Sequence, residues 1–218
     1  MTVSIINTKG GVGKTTIAIH IATLSSRIGP TLLIDGDLQA NAASWSAWRR
    51  ETEHSPSPVT VCLTGKAVFN EGKTLSTNYQ YTIVDAGGRD SHAFRSALLL
   101  TDVGIVPIGA SSLDTSALTD VLTVVDDEAK DFNPKVRVKA LMNRIDARTK
   151  DTGDLQAFLE EHHIPVFNAR VCERVAFRHS MNQGCIVREF GKDPAAIAEI
   201  DNLMREIDAL KKELSYEI

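Results

Sequence analysis

Lys9-Gly10-Gly11-Val12-Gly13-Lys14-Thr15-Thr16 is the stretch on which the fold of this chain turns. It follows a short apolar run, Val3 to Ile6, and opens a helical pattern, Ile17 to Ile28. Strand, glycine-rich turn and helix in that order are the context a phosphate-binding loop requires. Glycines let backbone N–H groups turn inward, where a side chain would block an anion. The helix N-terminus adds partial positive charge behind it. Lys14 then brings a point charge to β- and γ-phosphates, and Thr15 a hydroxyl to Mg²⁺. Gly10, Gly11, Val12, Gly13 and Thr16 complete the expected nucleotide cradle.

The 218 residues suffice for one α/β domain with a large core and are short for two, so residues 1–218 read as a single domain. At 43% hydrophobic and 24% charged, the composition is that of an ordinary globular protein. A net charge of −4 gives no global pull toward nucleic acid or acidic lipid, so any such binding needs a local patch. Cys62, Cys172 and Cys185 form no C-x-x-C pair and read as reduced thiols packed in a core. With no long apolar run and no signal-peptide pattern, a cytoplasmic location is expected.

Short β-rich runs alternate with helical patterns, which predicts a doubly wound, mostly parallel sheet with helices on both faces. The strand candidates are Val3–Asn7, Thr31–Asp35, Val59–Leu63, Tyr81–Asp85, Val103–Ile108, Val136–Asn143 and Val166–Val171. In such a sheet ligands lie beyond the C-terminal ends of the strands. Two strands end there in a carboxylate, Asp35 and Asp85. Asp85 closes Tyr81-Thr82-Ile83-Val84 and precedes Ala86-Gly87-Gly88, as a strand-tip Mg²⁺ ligand followed by a mobile loop would. In the helix 40–50, Trp45 and Trp48 share a face and read as core or dimer packing residues.

The loop lacks glycine at Thr8 and carries a second lysine, Lys9. In this it resembles the deviant Walker A loop, K-G-G-x-G-K-[ST]-T, of the ParA/MinD family of ATPases. Asp35-Gly36-Asp37-Leu38-Gln39 and Asp85–Gly88 extend the resemblance over nearly the whole chain. It implies a P-loop ATPase using ATP and Mg²⁺, with Lys9 reaching across an ATP-dependent homodimer to the partner's phosphates. It makes Asp35 and Asp85, with Thr15, the metal shell, and Asp37 the residue that orients the attacking water. Asp37 as a simple helix cap is the alternative. Leu38 stands where members often have proline. The segment after Asp85 is similar to switch II of small ParA plasmid-partition proteins, and Arg89 and Asp90 either join that switch or start the next helix. Asp114 resembles the position facing the partner subunit, or caps its helix. Asn143 resembles the adenine-contacting asparagine, or closes a turn. Scattered cysteines speak against the iron–sulfur carriers of this ATPase class.

From Lys135 to Lys192 there are eleven Lys/Arg against seven Asp/Glu, a +4 segment in an acidic chain. Arg144, Arg148 and Lys150 cluster, and Arg170, Arg174 and Arg178 recur every four residues. Either this is a DNA-binding face, reading phosphates without sequence preference, or a solvated face paired with Glu173 and Asp146. The resemblance favours non-specific DNA binding by a nucleoid-associated protein, with a ParB-like or other cargo adaptor that stimulates hydrolysis. The DNA-reading domain that larger members carry ahead of the first strand is not seen. The cargo implied is a plasmid or chromosome, with a protein cargo as the alternative. A MinD-like membrane role is disfavoured, because residues 199–217 carry six acidic and three basic residues. Their apolar stripe predicts packing on the sheet instead. A P-loop enzyme acting on a small molecule is the remaining rival, and Lys9 argues against it.

Overall fold

The structure, a computed structural model, describes residues 1–87, 91–146 and 148–216. Seven strands form one sheet in the order β3-β2-β4-β1-β5-β6-β7, with every pair parallel. They are β1 (Thr2–Ile5), β2 (Thr31–Asp35), β3 (Val59–Cys62), β4 (Tyr81–Asp85), β5 (Val103–Ile108), β6 (Arg137–Ile145) and β7 (Val171–Cys172). The intervening helices are α1 (Lys14–Ser25), α2 (Asn41–Arg49), α3 (Ala67–Ser76), α4 (Ser91–Leu100) and α5 (Ser112–Val124). A π-helical turn, Val125–Ala129, continues α5 into the short α6 (Lys130–Phe132). After β6 come α7 (Lys150–Glu161), α8 (Val175–Met181), α9 (Val187–Phe190) and α10 (Pro194–Tyr216).

Alternation along the strands divides the core in two. Val3 and Ile5 of β1 pack with α1, α8 and α10 on one face, while Ile6 packs with α3, α4 and α5 on the other. Parallel strands covered on both faces must be apolar throughout, and β2 and β4 are buried along their whole length. The stripe of α10 packs as expected: Ile200, Leu203 and Ile207 are fully buried against the sheet. No described helix is long and apolar enough to cross a membrane.

Two expectations need correction. The segment 166–171 is not a strand. Val166 makes one bridge to Ala140, and pairing resumes only at Val171. Between them Glu206 of α10 takes the backbone N–H groups of Asn168 (3.0 Å) and Ala169 (2.6 Å), which a strand partner would otherwise claim. Cys62 is exposed at the end of edge strand β3, and only Cys185 is fully buried. Trp45 is buried and donates its indole N–H to the Met181 carbonyl, but Trp48 is 43% exposed. Residues three apart on a helix differ by about 60° around the axis, and the edge of the buried face passes between these two.

Candidate nucleotide site

β1 lies centrally, and the loop leaving it sits beyond the C-terminal ends of its neighbours, where open α/β sheets place ligands. Asn7, fully buried, fastens the start of the loop. Its Nδ2 donates to the Pro107 carbonyl (2.9 Å), and its Oδ1 accepts the Lys9 N–H (2.8 Å). Gly13 caps α1 in the left-handed region, at φ +89°. A Cβ there would lie 2.5 Å from Asn143 Nδ2, so glycine is required twice over. Among the described residues, apart from the turn at Gly10–Gly11, no backbone N–H from Gly10 to Thr16 is taken by a backbone carbonyl. That is the donor set of an anion cradle.

Lys14 is buried under the loop and donates from Nζ to the Lys9 carbonyl (2.9 Å). Burial lowers its ammonium below the ordinary value, with Asp85 and Asp37 pulling the other way. Register sets the carboxylates side by side, Asp35 opposite Asp85 across β2 and β4. Thr15 Oγ1 donates to Asp85 Oδ2 at 2.7 Å. Burial pushes Asp85 up to about 7, and the Asp35 and Asp37 charges add to it against Thr15 and Lys14. Burial also raises Asp35, although its carboxylate accepts the N–H groups of Asp37 (3.1 Å) and Ala43 (2.8 Å). Asp35 therefore caps α2, while Asp37 is half-buried and turns only on the Gln39 N–H (2.9 Å). The capping role weighed for Asp37 belongs to its neighbour.

These residues fit Mg²⁺ held beside a nucleotide. Thr15 and Asp85 bring hard oxygens together, with Asp35 opposite Asp85 in the sheet, and Mg²⁺ takes one or two carboxylates, a hydroxyl, waters and phosphate oxygens. Among the described residues no group of three or more His, Cys, Asp or Glu is disposed to hold a metal alone. Next to the metal position the two strand tips touch. Gly36 N–H donates to the Asp85 carbonyl (2.9 Å), and a Cβ on Gly87 would lie 2.9 Å from the Gly36 oxygen. Gly87 is needed for that contact. Gly88, Arg89 and Asp90 lie outside the described residues.

Lys9 forms an ion pair with Asp114 of its own chain at 2.9 Å, and Ser111 Oγ donates to the same carboxylate. Burial pushes Asp114 up, but the bonds from Ser111 and Lys9, together with the charge of Lys9, outweigh it and hold the carboxyl below its usual range. Asn143 Nδ2 donates to the Val12 carbonyl at 2.6 Å, which ties its amide to the loop.

The basic residues divide. Arg144 pairs with Glu173 (2.6 Å), Arg148 with Asp146 (2.9 Å), and Arg174 with Glu199 (2.7 Å). Arg170 donates to Gln156, while Lys150 and Arg178 are exposed. Arg174 and Arg178 line a cleft of about 310 Å³ with Gly13, Thr16, Asn143 and Phe177. They therefore stand beside the phosphate loop. Lys9, Gly11, Asp114 and Arg144 border an adjoining open cavity of about 470 Å³.

Sequence reasoning missed a buried polar chain behind the site. Arg49, fully buried, forks onto both oxygens of Glu189 (2.7 Å each) and donates to the carbonyls of Gly184 and Pro56. His20 donates from Nδ1 to the Thr16 carbonyl (2.7 Å) and accepts the Val187 N–H at Nε2 (3.2 Å). Burial pushes its imidazole down to about 4, so it is the neutral Nδ1–H tautomer. One signal was available: His20 stands among Ile17, Ala18, Ile19, Ile21 and Ala22, a helix apolar all round and hence buried.

Residues 3–187 match the model of the CobQ/CobB/MinD/ParA nucleotide binding domain family. The chain is 27% identical over 208 residues to the "maintenance of carboxysome distribution protein A" of Halothiobacillus neapolitanus, covering 94% of this chain and 95% of that one. It is 27% identical over 188 residues to the chromosome-partitioning ATPase Soj of Thermus thermophilus, covering 73% and 76%. The fold superimposes with a TM-score of 0.71 and 20% identity on the Mg-ADP complex of the septum site-determining protein MinD of Pyrococcus horikoshii, covering 97% and 98%. Loop, strand-tip carboxylates and family match agree: the chain belongs to the CobQ/CobB/MinD/ParA nucleotide-binding family and is a ParA/MinD-type ATPase, with ATP and Mg²⁺ as its cofactors.

Proposed function

We propose that this ATPase is the switching component of a cargo-positioning system. ATP closes two copies of the chain into a sandwich dimer, the dimer holds DNA non-specifically, and a cargo-bound adaptor triggers hydrolysis and release. The observation that carries this reading is Lys9. It stands at the head of the loop on an open face, beside a carboxylate that can release it. In the dimer Lys9 exchanges Asp114 for the partner's phosphates.

Within each copy the cradle N–H groups and Lys14 bind the β- and γ-phosphates. Thr15, Asp35 and Asp85 hold Mg²⁺, directly or through water. When bound, the cation supplies charge neutralisation as the γ-phosphoryl departs. Asp37, free of helix capping, orients the attacking water. The contact between Gly36 and Gly87 lets the two segments beside the γ-phosphate respond together.

For DNA, the intramolecular ion pairs narrow the field. Phosphates would have to displace Glu173, Asp146 and Glu199 from Arg144, Arg148 and Arg174. Lys150 and Arg170, exposed and without a carboxylate partner among the described residues, are the better contacts. Lys150→Glu with Arg170→Glu should lower DNA affinity of the ATP state and flatten its salt dependence by about two ion contacts. Unchanged affinity would move the DNA face elsewhere. On cargo, a plasmid or chromosome fits the likeness to Soj. A protein cargo is favoured by the likeness to the carboxysome distribution protein, which spans almost the full length of both chains. Pull-down with the product of a neighbouring reading frame, tested for ATPase stimulation, separates the two. Stimulation by a DNA-site-binding adaptor supports the first, and by a shell- or assembly-binding adaptor the second.

A further inference from the structure

β6 contains one residue too many. Asn143 is opposite Val171 and Ile145 opposite Cys172, so Arg144 is an inserted residue with no partner in β7. Its φ is +56°, in the left-handed region that a non-glycine residue rarely adopts. The insertion breaks the alternation of the strand. Met142 and Ile145, three apart, face the same core, where an unbroken strand would place them on opposite faces. Two consecutive side chains consequently point to the phosphate loop. Asn143 Nδ2 donates to the Val12 carbonyl and Arg144 Nη1 to the Gly11 carbonyl, both at 2.6 Å. Glu173, one residue beyond β7, holds the guanidinium from Nε at 2.6 Å.

Holding those carbonyls aims the cradle. In a trans peptide the C=O and the following N–H point in opposite directions across one rigid plane. Anchoring the Gly11 carbonyl therefore fixes the Val12 N–H, and anchoring the Val12 carbonyl fixes the Gly13 N–H. Lys14 does the same for the Lys9 carbonyl and the Gly10 N–H. Gly11, at φ +77°, and Gly13 are the residues most free to turn away, and the clamp closes on the peptides between them. Left-handed backbone at a non-glycine residue persists where surrounding structure demands it, commonly at ligand sites.

We propose that Arg144, oriented by Glu173, is a positioning residue for the phosphate cradle: with Asn143 it pre-aims the loop N–H groups of its own chain. The inference deepens the ATP reading of the site and does not depend on dimerisation or DNA. It also explains why Arg144 borders both the cleft and the open cavity.

The test is Arg144→Gly, with Arg144→Lys as a second variant. Glycine relieves the left-handed backbone, so the melting temperature should stay within ~3 °C of wild type or rise. Titration calorimetry with a slowly hydrolysed ATP analogue and Mg²⁺ should nevertheless show about tenfold weaker binding, the scale of one charge-assisted hydrogen bond. Arg144→Lys keeps one donor without the fork and should lose about threefold. Affinity lost while stability holds is a pattern that a merely structural role does not produce. Wild-type nucleotide affinity in Arg144→Gly overturns the proposal, as does weaker DNA binding with nucleotide affinity unchanged. A wild-type protein that binds the analogue and stays monomeric would remove the dimer reading and leave this comparison intact.

Discussion

Replacing Glu189 by Gln tests the buried chain that anchors the far end of α2. Glu189 is 7% exposed in its side chain and accepts from Arg49, Arg27 and the Ile186 N–H. Burial alone would raise its carboxyl, but those donors, Arg49 foremost, hold it at about 2 against an ordinary 4.5. A carboxyl held at about 2 rather than 4.5 corresponds to roughly 3 kcal/mol of stability. Breaking one partner of a buried ion pair costs about 3–5 kcal/mol, because Arg49 is left charged and unpaired. The two routes agree on about 3 kcal/mol, a fall in Tm of roughly 6–12 °C for a chain of this size. The sign follows from the depressed pKa. The contribution is complete above pH 4.5 and is lost as pH falls toward 2. Urea denaturation of wild type and Glu189→Gln should therefore differ by about 3 kcal/mol at pH 7 and by about half that near pH 3. Carboxylates common to both proteins cancel in the difference. A difference below about 1 kcal/mol at pH 7, or one that ignores pH, would refute an ionised pair worth this much.

Three further outcomes are expected. Lys14→Ala should weaken ATP binding by about 100-fold or more, since it removes a buried charge aimed at the phosphates; calorimetry reads it directly. Gly87→Ala forces a methyl group against the Gly36 oxygen and the Asp37 Cα, 2.9 and 3.1 Å away, and should slow hydrolysis by roughly tenfold or more with ATP affinity within about twofold. His20 contributes acid lability, because its folded-state pKa of about 4 lies below the ordinary 6.5 and its share of stability falls as pH drops through that window. Asp85, raised to about 7, acts with the opposite sign over much of the same range and masks part of the His20 effect in the wild type. His20→Asn removes only the first effect, and its stability relative to wild type should rise by about 2 kcal/mol between pH 7 and pH 5, read from denaturation midpoints.

The strand-loop-helix pattern around Lys9–Thr16 was legible because apolar runs and glycines are local signals, and two strands ending in aspartate were legible too, but that β2 and β4 are neighbours with Asp35 opposite Asp85 was visible only in the fold. Boundaries failed where distant groups decide. Glu206, some 37 residues away, takes the N–H groups that would have extended β7, and no window along the chain reports that. The bulge at Arg144 was hidden for the same reason, since a single inserted residue changes alternation without changing composition. Charge is hard to place from sequence. Arg174 pairs with Glu199 and lines a cleft beside the phosphate loop, while Arg49, written as one of two adjacent arginines, is fully buried. Lys9 was legible as a signature, but its cis partner Asp114 depends on how α5 folds back over the loop.

ATP should move Lys9 from Asp114 to a partner's phosphates. Light scattering after gel filtration of Asp37→Ala, with ADP, with ATP, and with ATP after the added change Lys9→Ala, tests it most directly. A dimer should form only with ATP and only while Lys9 is present. A monomer under all three conditions, or a dimer that forms equally well without Lys9, would contradict it.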